Sequence, residues 1–292
     1  MTKWTARDIR PQDGRKFIVT GANSGLGEVT ARALANAGAE VVLACRNTDT
    51  ADAVAASIGP NATVAKLDLA DLASVRSFAE SVDRADVLIN NAGVMALPQY
   101  KTADGFEMQY GTNHLGHFAL TGLLLPKIAD RVVTVSSIAH RTGKISIDDP
   151  NWEKRKYERW PAYGQSKLAN LIFARELQRR LSRSGSKVAS IAVHPGVAAT
   201  NLQSHSESFL DPLMQLNNKI MAQSAEMGAL PSLFAATSPD ADGGEYYGPR
   251  SFLGTRGYPG KSGSIARSKD TAVAAQLWEL SERLTGVTYQ FN

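Results

Sequence analysis

Cysteine is nearly absent: Cys45 stands alone among 292 residues, so an intramolecular disulfide and a four-thiolate metal site are both excluded, and a reducing compartment is expected. No eighteen apolar residues run unbroken. The most apolar stretch, FALTGLLLPKIA (118–129), is short enough to lie inside a protein core. The first sixteen residues, MTKWTARDIRPQDGRK, are polar and lack the apolar centre of a secretory signal. A cytoplasmic protein without a transmembrane segment is the expectation. Neither sign of charge dominates, since 32 Lys and Arg stand against 28 Asp and Glu, a net +4. Basic residues form no stripe interleaved with aromatics, which argues against nucleic acid as a partner. Internal repeats, a second domain and the dinucleotide fingerprint G-x-G-x-x-G are also missing.

With 43% hydrophobic and 21% charged residues, the composition is that of an ordinary globular chain able to bury a large core. Short β-branched runs recur: KFIVT (16–20), EVVLAC (40–45), TVAKLDL (63–69), DVLINNA (86–92), RVVTVSS (131–137) and KVASIAVH (187–194). Helical periodicity fills the gaps, as in GEVTARALANAG (27–38), which ends on a glycine suited to a helix C-terminus. Strands apolar on both faces and separated by helices indicate an α/β, doubly wound parallel sheet of the Rossmann type. We read residues 1–292 as one such domain with a core at 14–200, a substrate flap at about 200–225 and a C-terminal extension at about 240–292. The stretch 204–237 begins polar and turns Met- and Leu-rich, the pattern of a mobile flap; 240–270, dense in Gly, Pro and Tyr, reads as a long ordered loop.

Where the first strand turns into the first helix lies VTGANSGLG (19–27), with Gly21, Gly25 and Gly27 spaced G-x-x-x-G-x-G. A tight strand-to-helix turn needs glycine, and the backbone N–H groups of the following helix offer a seat for a pyrophosphate. Further along, WPAYGQSKLANLIFARELQRRL (160–181) reads as a helix starting near Pro161, with Tyr163 and Lys167 stacked on one face at i and i+4. An ammonium beside a phenol favours the phenolate, and the tyrosine then becomes a proton donor and acceptor near neutral pH. The strand RVVTVSS ends in Ser136 and Ser137, at the sheet edge where open α/β folds bind ligands. Either hydroxyl could bond a substrate oxygen.

These motifs, in this order, resemble the short-chain dehydrogenase/reductase family over roughly residues 14–200. TGANSGLG resembles that family's T-G-x-x-x-G-x-G loop, NNAG (90–93) its segment after the fourth strand, YGQSK (163–167) its Y-x-x-x-K motif, and HPG (194–196) its P-G turn. The resemblance implies Tyr163 as acid/base, Lys167 as its partner and ribose ligand, Ser137 rather than Ser136 as the group orienting the carbonyl or alcohol, and Asn113 as a relay residue. It implies cofactor contacts from Gly21, Asn23, Ser24, Gly25, Leu26 and Gly27, from Asp68 and Leu69 at the adenine, and from Asn91, Ala92 and Gly93. Tyr163 and Lys167 also face the cofactor, while Pro195 and Gly196 shape the nicotinamide pocket and Thr200 reaches the carboxamide or diphosphate. His114 and His117 flank Asn113 as structural residues, and no metal is expected.

Arg46 occupies the end of the second strand, where an NAD site carries an acid for the ribose 2′-hydroxyl, so NADP(H) is expected over NAD(H). The 26 residues from Ser137 to Tyr163 hold an insertion, 141–161, similar to that of retinol dehydrogenases, WW-domain oxidoreductases and protochlorophyllide reductases. No cysteine precedes Tyr163 there to support the last of these. The subgroup implies a hydrophobic alcohol, aldehyde or ketone as substrate, selected by residues near 94–100, the insertion and the flap, with Phe209, Leu210, Leu213 and Met214 as candidate lining. A homo-oligomer paired through the helices holding Asn113 and Tyr163 is a further implication. The alternative is a catalytically silent NADP(H)-binding sensor, against which an intact Ser, Tyr, Lys and Asn set argues. An epimerase or dehydratase of the extended family would carry a different glycine spacing.

Overall fold

The computed structural model describes residues 3–197 and 223–291. Among the described residues eight strands form one sheet: β1 (Lys16–Thr20), β2 (Glu40–Cys45), β3 (Ala62–Lys66), β4 (Ala85–Asn90), β5 (Ile128–Val135), β6 (Ala189–Val193), β7 (Tyr246–Ser251) and β8 (Arg256–Lys261). Their spatial order is β3-β2-β1-β4-β5-β6-β7-β8, all parallel except β8, which runs antiparallel to β7. The strand order reverses between β1 and β4, and a crevice opens at the carboxyl ends of such a pair.

Strand alternation divides the core. Phe17 and Val19 of β1 point into one layer with Leu34 of helix α1 (Gly25–Asn36), while Ile18 points into the other. Helices α2 (Thr48–Ile58) and α3 (Leu72–Ser81) follow β2 and β3 and return the chain to the parallel sheet. After β4 the chain passes through a short helix α4 (Met108–Tyr110), a π-helical turn (Gly111–Leu115) and α5 (Gly116–Leu124). The long α6 (Arg159–Ser184) covers β5 and β6 and ends at Gly185, whose φ of 78° suits the left-handed cap.

Two expectations are corrected beyond residue 223. The stretch 240–270 is no long loop: it forms the β7–β8 hairpin and extends the sheet. Only Tyr246 and Tyr247 of β7 pair with β6, so Pro249 and Pro259, paired with each other at the margin, break no central ladder. The end of the expected flap pattern is helix α7 (Ala225–Thr237), packed on α1 through buried Ala229, Leu230 and Leu233. Residues 198–222, with Thr200, Phe209, Leu210, Leu213 and Met214, lie outside the described residues. A final helix, α8 (Thr271–Thr285), capped by Asp270 onto Ala272 N and Val273 N, packs against α5 and α6.

Candidate active site

Every chemistry-bearing segment follows a strand's carboxyl end. After β1, Gly21 and Gly25 take φ of 65° and 55°, conformations costly for any residue with a Cβ. Gly27 is required for another reason: a Cβ there would stand 2.2 Å from the Gly21 carbonyl oxygen and 2.6 Å from Asn91 Nδ2. Asn91 Nδ2 donates to the Thr20 carbonyl at 2.8 Å, tying the β4 end to the loop. The N-terminus of α1 receives no side-chain cap, although α2 and α3 are capped by Asn47 and Asp71. A cradle whose first-turn N–H groups are left open by the side chains fits the diphosphate of a dinucleotide.

Thr20, which the sequence marked as a strand end and the first residue of the glycine motif, joins this cradle to the interior. Its Oγ1 accepts from Asn91 N and Ala92 N, both at 2.9 Å, and lies 2.9 Å from His117 Nε2. His117 Nδ1 lies 2.9 Å from the Asn113 carbonyl oxygen. A donating Nδ1–H leaves Nε2 to accept the Thr20 hydroxyl proton, so one tautomer satisfies all four contacts. Burial holds His117 neutral, its pKa brought down to about 4 with a smaller push from Lys167. His114 is equally structural: buried, with Nε2 2.9 Å from Ser281 Oγ.

Asn113 sits in the π-helical turn, a local widening common at functional sites. Its Oδ1 accepts from Val94 N at 2.8 Å, and its Nδ2 donates to the Val94 carbonyl and to Ser166 Oγ, both at 2.9 Å. Gly93 stands between Asn113 and Lys167: a Cβ there would lie 3.1 Å from Asn113 Oδ1 and 3.2 Å from Lys167 Nζ. On α6, Tyr163 and Lys167 share a face as expected, both buried, with Nζ 5.8 Å from the phenol ring centre and donating to the Val135 carbonyl at 3.3 Å. The Ser137 side chain lies near enough to the Tyr163 phenol to oppose the upward shift of its pKa, while Ser136 Oγ donates to the Lys167 carbonyl at 2.7 Å. The two serines thus differ in their partners: Ser136 braces α6, and Ser137 Oγ accepts from Ala139 N at 3.2 Å.

The expected lowering of the phenol by Lys167 is corrected. Burial dominates and pushes Tyr163 up to about 12 against the opposing pull of the Ser137 side chain. The same burial brings the Lys167 ammonium down to about 8. Such a site holds a protonated phenol beside an easily neutralised amine.

The other residues expected at the cofactor follow the ends of β1, β2, β3 and β6. Arg46 is exposed just past β2, and its backbone carbonyl accepts from Lys66 Nζ at 2.6 Å, which brings the Lys66 ammonium to the end of β2. Asp68 Oδ1 accepts from Ala70 N at 2.9 Å, and buried Leu69 packs so closely on α5 that a Cβ on Gly116 would touch its carbonyl at 2.3 Å. Asn23 Nδ2 donates to Thr50 Oγ1 at 3.0 Å, Ser24 is the N-cap position of α1, and Leu26 accepts from Thr30 Oγ1 at 2.7 Å through its carbonyl. At the P-G turn Gly196 takes φ 72°, and the Pro195 carbonyl accepts from Gln223 Nε2 at 2.8 Å. The insertion is docked on the 94–100 segment: the Tyr157 hydroxyl stands 3.0 Å from the Leu97 carbonyl and 2.9 Å from Gln109 Nε2, while Gln99 Nε2 donates to the Trp152 carbonyl at 3.3 Å. Among the described residues no cluster of His, Cys, Asp and Glu could hold a metal ion.

Residues 15–210 match the family profile of the short chain dehydrogenases. Human retinol dehydrogenase 13 is 42% identical over 297 residues, spanning 94% of this chain and 85% of that protein. Human retinol dehydrogenase 12 is 42% identical over 290 residues, with 95% and 88% covered. Among solved structures, an uncharacterized protein from Mycobacterium Paratuberculosis superposes with a TM-score of 0.87 at 49% identity, covering 99% of this chain and 100% of that one.

Proposed function

Since the chain belongs to the short-chain dehydrogenase/reductase family and is an NAD(P)-dependent oxidoreductase of its retinol dehydrogenase-like subgroup, we propose that it uses NADP(H) to interconvert an apolar aldehyde or ketone with its alcohol. The observation that carries this reading is the convergence of Tyr163, Ser137 and Lys167 at the carboxyl edge of β5, beside Gly93 and Asn113. When bound, NADP(H) would supply or take up the hydride at the substrate carbon. Ser137 orients the carbonyl oxygen, and Tyr163, held protonated by burial, donates its proton to that oxygen as negative charge develops. Lys167, with its lowered pKa, is placed to hold the ribose and to stabilise the phenolate left behind. Asn113, fixed by three hydrogen bonds, keeps the far side of Lys167 rigid.

Arg46 and Lys66 at the ends of β2 and β3 support a 2′-phosphate, which two cations attract and an acid would repel. The apolar substrate class rests on the subgroup and on the insertion docked against 94–100. No helix among the described residues is long and apolar enough to cross a membrane, which fits a cytoplasmic enzyme. A silent sensor is not favoured, because the relatives of this chain are dehydrogenases and Tyr163, Lys167, Ser137 and Asn113 are all present. The test is reduction of all-trans-retinal and decanal with NADPH and with NADH, by wild type and Arg46→Asp. NADPH preference of about tenfold or more, abolished in the variant, supports the reading; equal use of both cofactors by wild type overturns the NADP(H) assignment, and no reduction of either aldehyde overturns the substrate class.

A further inference from the structure

Against the Ser137 backbone packs a buried aromatic cluster that the reaction as described does not use. The Ser137 carbonyl accepts from His140 N at 3.0 Å, faces His140 Nδ1 at 2.7 Å and receives the Tyr246 hydroxyl at 3.4 Å. Tyr246 comes from β7, outside residues 15–210 that match the family profile. Its ring stands edge-on to His140, with centroids 5.4 Å apart at 89°, and packs on His194 at 5.0 Å. His194 in turn accepts from Gly196 N at 3.3 Å through Nδ1, and its Nε2 lies 2.9 Å from Ser262 Oγ. Tyr246, His140 and His194 are at most 2% exposed. Gly248 makes room for this packing, since a Cβ there would fall 1.9 Å from His194 Nε2.

Resting on the assignment of Ser137 to the reaction, we infer that Tyr246 is a positioning residue: it clamps His140 and His194 so that the Ser137 backbone and the Pro195–Gly196 turn are held in fixed relation. The physical reason is the geometry of a strand end. Past Val135 the ladder to β6 stops, and the Ser137 backbone, in extended conformation at φ −157°, has no neighbouring strand to fix its carbonyl. His140 and Tyr246 supply the missing donors. A rotation of that peptide would swing Oγ away from Tyr163, and misplacement by about 1 Å at a reacting centre costs on the order of a hundredfold in rate.

The hydrogen bonds also demand opposite tautomers. His140 must carry its proton on Nδ1 to donate to the Ser137 carbonyl, whereas His194 must carry it on Nε2, because its Nδ1 accepts from Gly196.

Two measurements test the inference. Ring ¹⁵N NMR of the free protein, with resonances assigned through His140→Gln and His194→Gln, should show Nδ1–H at His140 and Nε2–H at His194; the same tautomer at both overturns the arrangement without any substrate. In steady-state reduction of all-trans-retinal by NADPH, Tyr246→Phe keeps the ring and loses the hydroxyl. The expected result is a kcat lower by about tenfold, with KM and NADPH affinity within about twofold of wild type, and no change for the neighbouring Tyr247→Phe. An unchanged kcat, or joint loss of kcat, KM and melting temperature, overturns the positioning role. Ser137→Ala run alongside separates the two readings: if it retains the wild-type rate, the assignment of Ser137 itself has failed.

Discussion

Tyr163 and Lys167 illustrate how one environment can act oppositely on two groups. Both are buried on one face of α6, and desolvation disfavours the charged form of each, raising the phenol and lowering the amine. Holding Lys167 charged at neutral pH therefore costs stability. With its folded pKa brought to about 8 from 10.5, the unfolded chain binds more protons between those values, so this group makes stability rise with pH across that window and imposes its full penalty below it. Lys167→Met should raise the melting temperature at pH 7 by several degrees while lowering kcat about a hundredfold or more, and the gain should shrink as pH approaches 10.5. Calorimetry at pH 7 and pH 10 checks it; a variant that is less stable at pH 7 contradicts it. Tyr163, Lys167 and Ser137 were legible in the sequence because a helix fixes i and i+4 on one face and a strand end fixes the serines at the edge. Which way the pKa values move was not, because it depends on how much protein covers the pair.

At the scale of elements, the loop from β1 to α1 is the part most tightly dictated by local chemistry. Its glycine spacing was readable because each glycine has a separate steric duty: positive φ at Gly21 and Gly25, and close backbone approach at Gly27. Gly27→Ala places a methyl group against the Gly21 carbonyl and Asn91, so the loop must shift. NADPH affinity should fall by about tenfold or more, with a stability loss of about 1–3 kcal/mol. Fluorescence titration measures it, and unchanged affinity would show that the loop does not seat the cofactor. The β7–β8 hairpin, in contrast, was hidden. Gly248, Pro249, Gly257, Pro259 and Gly260 break the alternation that announces a strand, and the hairpin holds its place through the sheet edge rather than through propensity. Tyr246 and Thr20 were missed for a related reason, since each matters through partners distant in sequence.

Across the whole molecule, the chain uses its own C-terminal region to cover the faces of α5 and α6. Trp278 packs against Phe118 and Phe173, the Tyr289 hydroxyl donates to the Phe118 carbonyl at 2.6 Å, and Arg180 lies 4.3 Å over the Trp278 ring. Residues Gly116 to Thr121 of α5 and Ala162 to Ala174 of α6 are buried without any partner chain. Pairing through the helices that hold Asn113 and Tyr163 would require α8 and the residues after it to leave. Light scattering coupled to gel filtration should accordingly give the 31.3 kDa monomer or an assembly that leaves α8 in place; a dimer that forms only when α8 is displaced would contradict the packing. Strand alternation and helix periodicity made the doubly wound sheet legible, whereas the C-terminal extension was read without elements of its own, and nothing in the sequence of α8 names the surface it covers.

The most direct test of the account is the rate of all-trans-retinal reduction by NADPH in wild type and Tyr163→Phe, with NADPH affinity measured on both. The account predicts turnover by wild type and a loss of about a thousandfold or more in the variant, with cofactor affinity nearly unchanged. A variant that reduces retinal at the wild-type rate would show that the phenol does not deliver the proton, and would contradict the account at its centre.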